Sequence, residues 1–271
     1  MTWAEIGERT AIYSYNTAEA YKDVWHQCCN FLKETEGLKD IEKLNGEDVT
    51  AYLESRIEAG VSRATFAKES AALAKLENAL NSYANLRGNG NNYNFRGSIR
   101  ELSSSAKTLE KTEPHRAYSA PEKLISEIKG ADFRLAAELQ LRSGGRIHEI
   151  SKIGPPQLRG IEGTQGKIEV RGKGGKIRNL SVSEKIYKEL ESHIEKNGSF
   201  EIDKNSYRNA LKNAAERSGQ EYTGSHGLRW NYAQNRMVEI QQSGKSYEQG
   251  LREVSHSMGH ERSDITEHYL R

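Results

Sequence analysis

The segment from Gln157 to Val182 reads QLRGIEGTQGKIEVRGKGGKIRNLSV, and its pattern differs from the sequence on both sides of it. Residue types alternate along the segment and glycines interrupt it, as in short antiparallel strands joined by turns. The flanking sequence instead repeats apolar residues at helical spacing. The chain is therefore predicted to be mainly α-helical, with a small antiparallel β-sheet in its second half.

Helical patterns surround this segment. They cover residues 131–153, 183–196, 203–217, 225–242 and 246–259. Upstream, Ser119-Ala-Pro121-Glu122 combines a capping serine, an early proline and a glutamate, which together indicate the start of a helix. Residues 108–118 are charged, aperiodic and contain a proline, so they are predicted to form a linker. The sequence thus predicts a second, mixed α/β domain over residues 119–271.

The sequence before the linker contains three amphipathic patterns. The first runs from Thr17 to Leu32, the second begins near Asp48, and the third follows Ser62. In the third, apolar residues recur at spacings of three, four and seven, at Phe66, Leu73, Leu76, Leu80 and Tyr83. Residues 1–107 are therefore predicted to form a small helical bundle.

Composition excludes several classes of protein. Of the 271 residues 29% are charged, and no apolar run is long enough to cross a bilayer. The start, MTWAEIGERT, has acidic residues and no apolar signal region, which predicts a cytoplasmic protein. Cys28 and Cys29 are neighbours, so they can neither bridge distant segments nor form a zinc site. The net charge of +2 permits a polyanionic partner without requiring one.

Two short motifs place polar side chains on one face of a helix. In HGLR, His226 and Arg229 stand three residues apart, and in GGRIHEI the same spacing separates Arg146 from Glu149. An arginine and a glutamate at this spacing are most often a solvated ion pair. Each motif alone is therefore weak evidence for a site.

Two further motifs complete the set. RGKGGKIR holds Lys173 in a glycine-rich turn, and MGHERSDITEHYLR holds His260 and, nine residues later, Tyr269. A basic turn is commonly a solvent-exposed loop, a histidine after glycine can cap a helix, and a terminal tyrosine commonly packs. Together, however, arginines, histidines, a lysine and a tyrosine suit phosphate chemistry, because arginine binds two phosphate oxygens at once and tyrosine can act as a nucleophile. A metal would then be unnecessary.

In this order and at these spacings, the motifs resemble those of the tyrosine recombinase and phage integrase family. The family has an arginine after a glycine turn, a lysine on a β-hairpin, H-x-x-R, a histidine or tryptophan, and then a tyrosine. The matching residues are Arg146 with Glu149, Lys173, His226, Arg229, His260 and Tyr269. The resemblance extends from about residue 115 to the end, and the first domain is similar to the family's SAM-like core-binding domain.

Two features depart from the family pattern. Trp230 stands where the family often has a second histidine, which is expected to change packing more than chemistry. The sequence also ends two residues after Tyr269, whereas many relatives continue into a helix that docks on a neighbouring subunit. The way in which subunits are coupled therefore stays open.

The resemblance implies a site-specific DNA recombinase that acts without a metal or nucleotide cofactor. Tyr269 would attack a DNA phosphate and form a 3′-phosphotyrosyl bond, and Lys173 would protonate the leaving 5′ oxygen. Arg146 and Arg229 would clamp the phosphate, while two histidines, His226 and His260, would add hydrogen bonds. Glu149 would support and orient its neighbours.

The resemblance also implies partners. These are double-stranded DNA with a specific target site and further copies of the chain in a tetrameric synapse. Expected DNA contacts are Arg63, Lys68 and Lys75 in the first domain, and Lys176 and Arg178 near the hairpin. Most would bind phosphates, which makes affinity depend on salt.

Three rival interpretations remain at this point. A type IB topoisomerase would use the same nucleophile to relax a single DNA molecule, and a non-catalytic DNA-binding regulator could share the fold. An RNA-binding helical protein would be expected to show aromatic stacking residues on strands, which the sequence lacks. Joining of two separate DNA sites would distinguish a recombinase from a topoisomerase.

Overall fold

The computed structural model describes residues 12–88, 90–111, 115–172, 175–260 and 262–270. It divides into two compact units, Met1–Glu113 and Pro114–Arg271. Most of the described chain is helical and the strands form small antiparallel sheets, which confirms the predicted fold class. Within the described ranges, none of the helices combines the length and apolar character that a membrane span requires.

The first unit is a helical bundle. Its helices are α1 (Tyr15–Thr35), α2 (Gly46–Glu58), α3 (Arg63–Arg87) and α4 (Phe95–Glu101), with 3-10 turns at Ile41–Lys43 and Ser105–Thr108. The bundle core is built from the apolar faces of these helices and includes Leu32, Leu53, Leu73 and Phe95. Leu109 belongs to this core as well, so the first unit extends into the segment predicted as linker.

Both acidic side chains of α3 point into the bundle. Glu69 is 1% exposed and forms two 3.0 Å hydrogen bonds with the guanidinium of Arg56. Glu77 is 7% exposed; its Oε2 accepts from the backbone N–H of Phe95 at 2.6 Å, and its carboxylate pairs with Arg96. These contacts fix α3 against α2 and α4. They also leave the outer surface of α3 without an acidic residue.

The second unit combines helices with two small sheets. Its helices are α5 (Pro121–Ser126), α6 (Ala131–Ser143), α7 (Ile147–Ile150), α8 (Glu184–Asn197), α9 (Lys204–Ser218), α10 (His226–Gln242), α11 (Tyr247–Met258) and α12 (Ser263–Glu267). The strands are β1 (Lys152–Ile153), β2 (Leu158–Glu162), β3 (Gln165–Arg171), β4 (Ile177–Ser183) and β5 (Phe200–Glu201).

The larger sheet is the one predicted from the alternating segment. Its order is β2-β3-β4, all antiparallel, and the β3–β4 register pairs Arg171 with Ile177. Beyond this pair, the backbone N–H of Gly172 donates to the carbonyl of Lys176 at 2.7 Å. The smaller sheet, β1 with β5, was not predicted, because two-residue strands are too short for a periodic pattern.

The prediction of one continuous helix over residues 131–153 is wrong. Helix α6 ends at Ser143 because Gly144 adopts a left-handed conformation with φ 64°, which glycine tolerates best. The chain then turns and begins the short helix α7 after Arg146. Arg146 and Glu149 therefore lie beyond the end of α6, at the start of α7 and within it.

A glycine sets the packing between the larger sheet and α8. Tyr187 of α8 is 1% exposed, and its hydroxyl accepts from the backbone N–H of Gly160 at 2.9 Å. Its ring lies over Gly166 of β3, where a Cβ would overlap the tyrosine side chain. The sheet and α8 can therefore approach closely only because residue 166 has no side chain.

We predict that Gly166→Ala destabilises the second unit by about 1–3 kcal/mol, because the added methyl overpacks this contact. Gly154→Ala is the matched control, since the nearest heavy atom to a Cβ there is 3.7 Å away. It should change stability by less than about 0.5 kcal/mol. Urea unfolding followed by circular dichroism measures both, and equal stabilities of the two variants would contradict this packing.

Candidate active site

A tyrosine and a histidine form the centre of the candidate site. Tyr269, just after α12, is 8% exposed, and its hydroxyl lies 2.7 Å from Nε2 of His226, the first residue of α10. The ring centre of Tyr269 lies 5.2 Å from that of Trp230 and 5.3 Å from that of His260. Trp230, the residue that departs from the family pattern, thus packs against Tyr269.

Behind Tyr269 lies a fully buried arginine. Arg229 is 0% exposed; its Nη1 donates to the carbonyl of Gly144, and its Nη2 donates to the carbonyl of Met258 at 2.6 Å. Nη2 is also 3.0 Å from Nε2 of His260. The Nε atom has no hydrogen-bond partner among the described residues. One side chain therefore connects α10 with the turn after α6 and the end of α11.

The protonation of His260 follows from its two neighbours. Because an arginine can only donate, Nε2 of His260 must accept from Arg229. Nδ1 then carries the proton and donates to the hydroxyl of Thr266, 2.7 Å away, which also accepts from Ser255 at 2.7 Å. Thr266 and Ser255 are buried and were not identified from the sequence. A single threonine or serine outside a motif does not reveal from the sequence that its hydroxyl will hold a histidine.

A second cluster surrounds a buried carboxylate. Glu149 is 3% exposed; its Oε2 accepts from the backbone N–H of Arg146 at 2.6 Å, and its Oε1 accepts from Nη1 of that residue at 3.0 Å. Nη2 of Arg178 donates to Oε2 at 2.7 Å. Burial raises the pKa of Glu149, but the hydrogen bonds and charges of Arg178 and Arg146 outweigh it and hold that pKa below its usual value.

Not every predicted site residue lies where the sequence analysis expected. Lys173 lies outside the described residues. Lys176, just before β4, is exposed. Arg178 was expected to contact DNA, but its side chain forms an ion pair with the buried Glu149. Strand alternation could have indicated this, because Arg178 shares the face of β4 on which Leu180 and Val182 are buried.

The site combines neutral imidazoles with cationic guanidinium groups. Burial and the charge of Arg229 lower the pKa of His226 to about 4, and the same two causes lower the pKa of His260 to about 3. Burial, followed by the charge of Arg146, lowers the pKa of Arg229 to about 10, which still leaves it protonated at neutral pH. The site is thus positively charged and suited to an anion.

Across the part of the chain that the structure describes, no three histidine, cysteine, aspartate or glutamate side chains lie close enough together to hold a metal ion.

Comparison with family models gives two matches. The phage integrase family matches residues 107–271, and the phage integrase N-terminal SAM-like domain matches residues 8–82. Comparison with curated protein sequences gave no significant match.

Several solved structures share the fold. XerH site-specific recombinase bound to palindromic difH is 19% identical with a TM-score of 0.63, covering 88% of this chain and 72% of that one. A lambda integrase dimer bound to a COC′ core site is 15% identical with a TM-score of 0.65, covering 95% and 72%. The Tn1549 transposon integrase in complex with transposon right end DNA is 14% identical with a TM-score of 0.60, covering 99% and 93%.

The lowered pKa of His226 predicts a specific dependence of stability on pH. An unfolded histidine binds a proton as the pH falls below 6.5, whereas the folded site resists protonation until about pH 4. Acidification through that window therefore destabilises the folded state. We expect the wild-type chain to lose more free energy of unfolding between pH 7 and pH 4 than His226→Gln, which lacks the titrating group.

Urea unfolding at a series of pH values measures this difference. His256→Gln, at an exposed position of α11, is the control and should keep the wild-type pH dependence. If the free energies of unfolding of wild type and His226→Gln fell by the same amount between pH 7 and pH 4, His226 would not be held neutral by its site.

Proposed function

Because the chain belongs to the phage integrase family of tyrosine recombinases, we propose that it cleaves and rejoins DNA through a 3′-phosphotyrosyl intermediate on Tyr269. The observation that carries the proposal is the 2.7 Å distance between the Tyr269 hydroxyl and His226 Nε2. The guanidinium carbon of Arg229 lies 5.9 Å from the centre of the Tyr269 ring, and Arg146 is the other arginine of the motif set. One chain would therefore provide a nucleophile, a proton acceptor and phosphate ligands.

His226 would activate the nucleophile. Its lowered pKa keeps the imidazole neutral at physiological pH, so Nε2 can accept the phenolic proton of Tyr269 as the oxygen attacks phosphorus. The new bond joins Tyr269 to the 3′ phosphate while the bond to the 5′ oxygen breaks. We assign protonation of that oxygen to Lys173, from its position in the glycine-rich turn.

The arginines would bind the phosphate. The side chain of Arg146 is 23% exposed, so it is not closed off from an incoming phosphate. Arg229 would contribute its Nε, the donor that lacks a protein partner within the described chain. Because the phosphotyrosyl bond preserves the energy of the phosphodiester, rejoining is proposed to need neither a nucleotide nor a metal. His260 would hold Arg229 rather than the phosphate itself.

The outer face of α3 is the proposed DNA contact of the first unit. Lys68 is exposed and Lys75 half-buried, and the seven-residue spacing places them about 20° apart around the helix axis. Arg63 lies about 120–140° from both, so we propose that it contacts a different phosphate. The inward orientation of Glu69 and Glu77 supports this surface, because no carboxylate of α3 opposes a DNA phosphate.

The proposed partners are double-stranded DNA with a specific site and further copies of this chain in a tetrameric synapse. The DNA-bound state of the similar XerH and lambda integrase structures supports the first partner, and the lambda integrase dimer supports assembly on DNA. Strand exchange between two sites needs four active chains, one for each strand cut.

We predict that Tyr269→Phe abolishes a covalent DNA adduct that the wild-type chain forms on a nicked substrate containing its site. Phenylalanine keeps the packing of the aromatic ring but removes the attacking oxygen. Gel electrophoresis in detergent measures the adduct. Tyr247→Phe, at a tyrosine that is 41% exposed on α11, is the matched control and should form it normally. An adduct persisting in Tyr269→Phe would identify another nucleophile.

We predict that Lys68→Gln and Lys75→Gln each weaken DNA binding and each reduce the slope of log Kd against log salt by about 1. Each change removes one phosphate contact, so fewer counterions are released on binding. Fluorescence anisotropy over a salt series measures both quantities. Lys188→Gln is the control, since Lys188 already pairs with Glu184 at 2.5 Å. Equal slopes for all three variants would exclude α3 as a phosphate-binding surface.

A further inference from the structure

We propose that Arg178 is a positioning residue that orients Arg146 and Arg229 toward the scissile phosphate. This role rests on the function proposed above. It differs from the role expected from the sequence, in which Arg178 contacts DNA. Its guanidinium lies where three segments of the site meet: the turn after α6, helix α7 and the end of α11. Each segment carries or holds a residue of the site.

The first contact of Arg178 is with the carboxylate that holds Arg146. Nη2 of Arg178 lies 2.7 Å from Oε2 of Glu149, and Nε lies 3.4 Å from Oε1. The same carboxylate accepts from the backbone and side chain of Arg146. A buried carboxylate is costly unless it is well paired, so Glu149 needs both cations to keep its place. Arg178 therefore fixes Arg146 through Glu149.

The second contact is with the carbonyl that holds Arg229. The carbonyl oxygen of Gly144 accepts from Nη1 of Arg229 and lies 3.4 Å from Nη2 of Arg178. Gly144 has a positive φ, and a Cβ there would overlap the ring of Tyr232, so its backbone is closely confined. The two guanidinium groups thus share one acceptor, and displacement of one affects the other.

The third contact is with the segment that leads to His260. Nη1 of Arg178 donates to the carbonyl of Ser257 at 2.5 Å, and Arg229 donates to the next carbonyl, that of Met258. A Cβ on Gly259 would lie 2.8 Å from Cδ of Arg178. Two arginines therefore hold consecutive carbonyls, and the arginine from β4 packs against the glycine before His260.

These contacts distinguish Arg178 from a DNA ligand. All three of its nitrogen atoms have protein acceptors, and its side chain is only 12% exposed. Arg229 differs in this respect, because its Nε has no acceptor within the described chain and is left to bind a phosphate. Arg171, on the other strand of the same hairpin, is exposed and so provides a contrast of equal charge.

The test compares Arg178→Gln with Arg171→Gln in the full-length chain. Three quantities are measured: Kd over a salt series, the single-turnover rate of cleavage of a nicked substrate at saturating protein, and the melting temperature. Loss of a contact that orients a metal ligand lowers activity about 10- to 100-fold, and we take the same range for a contact that orients a phosphate ligand. We expect Arg178→Gln to lower the cleavage rate by that factor while its salt slope stays at the wild-type value.

Arg171→Gln is the control that shows how much the removal of one exposed charge from the hairpin changes Kd, the salt slope and the cleavage rate. If Arg178→Gln cleaved saturated DNA at the wild-type rate and lost only affinity and salt slope, as expected of a phosphate ligand, the positioning role would be wrong. Arg178→Lys should give an intermediate rate, because one ammonium can reach Glu149 but cannot also bridge the carbonyls. A wild-type rate in Arg178→Lys would equally overturn the proposal.

A double-mutant cycle separates positioning from a general loss of structure. If part of the effect of Arg178 passes through Arg146, then Arg178→Gln should slow cleavage by a smaller factor in an Arg146→Lys background than in the wild-type chain, and the part that passes through Arg229 should remain. Fully additive losses would contradict action through Arg146. Should Arg178→Gln fail to fold, the same cycle is run with Arg178→Lys. Failure of the wild-type chain to form an adduct would instead disprove the proposed function itself.

Discussion

The site depends on satisfying a guanidinium group that is completely removed from water. Burying a charge is costly unless hydrogen bonds or an opposite charge replace the lost solvent. Within the described chain, Arg229 has no carboxylate partner; the carbonyls of Gly144 and Met258 and the imidazole of His260 take that place. Because these acceptors are far apart in sequence, satisfying one arginine brings α10, the turn after α6 and the end of α11 together.

Charge is distributed unevenly around this arginine. Glu149 pairs with both Arg146 and Arg178, so one carboxylate serves two guanidinium groups while Arg229 stays uncompensated. The histidines add no positive charge, since their pKa values are lowered by burial and by the arginines. The protein therefore maintains an excess of positive charge in a confined space. An incoming phosphate would supply the missing negative charge, which accounts for an arrangement that is otherwise unfavourable.

The sequence predicted the larger architecture because periodic patterns report on burial. The alternating segment became the β2-β3-β4 sheet, and the α10 and α11 patterns became helices. It could not reveal that α6 ends at Gly144, because a glycine inside a helical pattern is compatible with either a break or a continuous helix. For the same reason the turn that presents Arg146 was hidden within a predicted helix.

For the candidate site, motif order predicted which side chains take part but not their contacts. The pairing of Tyr269 with His226 and the burial of Arg229 depend on packing between distant segments, which spacing does not encode. The acceptors at Gly144 and Met258 are backbone atoms and leave no trace in residue identity. Arg178 was predicted to contact DNA because its charge was considered without the alternation of β4, which places its side chain on the face that also carries the buried Leu180 and Val182.

The most direct measurement is a crystal structure of the chain on its cleaved DNA site, with orthovanadate in place of the scissile phosphate. The account predicts vanadium bonded to the Tyr269 oxygen, with guanidinium groups of Arg146 and Arg229 donating to the vanadate oxygens. Vanadate bound away from Arg229, or bonded to a different side chain, would contradict the claim that this buried arginine organises a phosphate site.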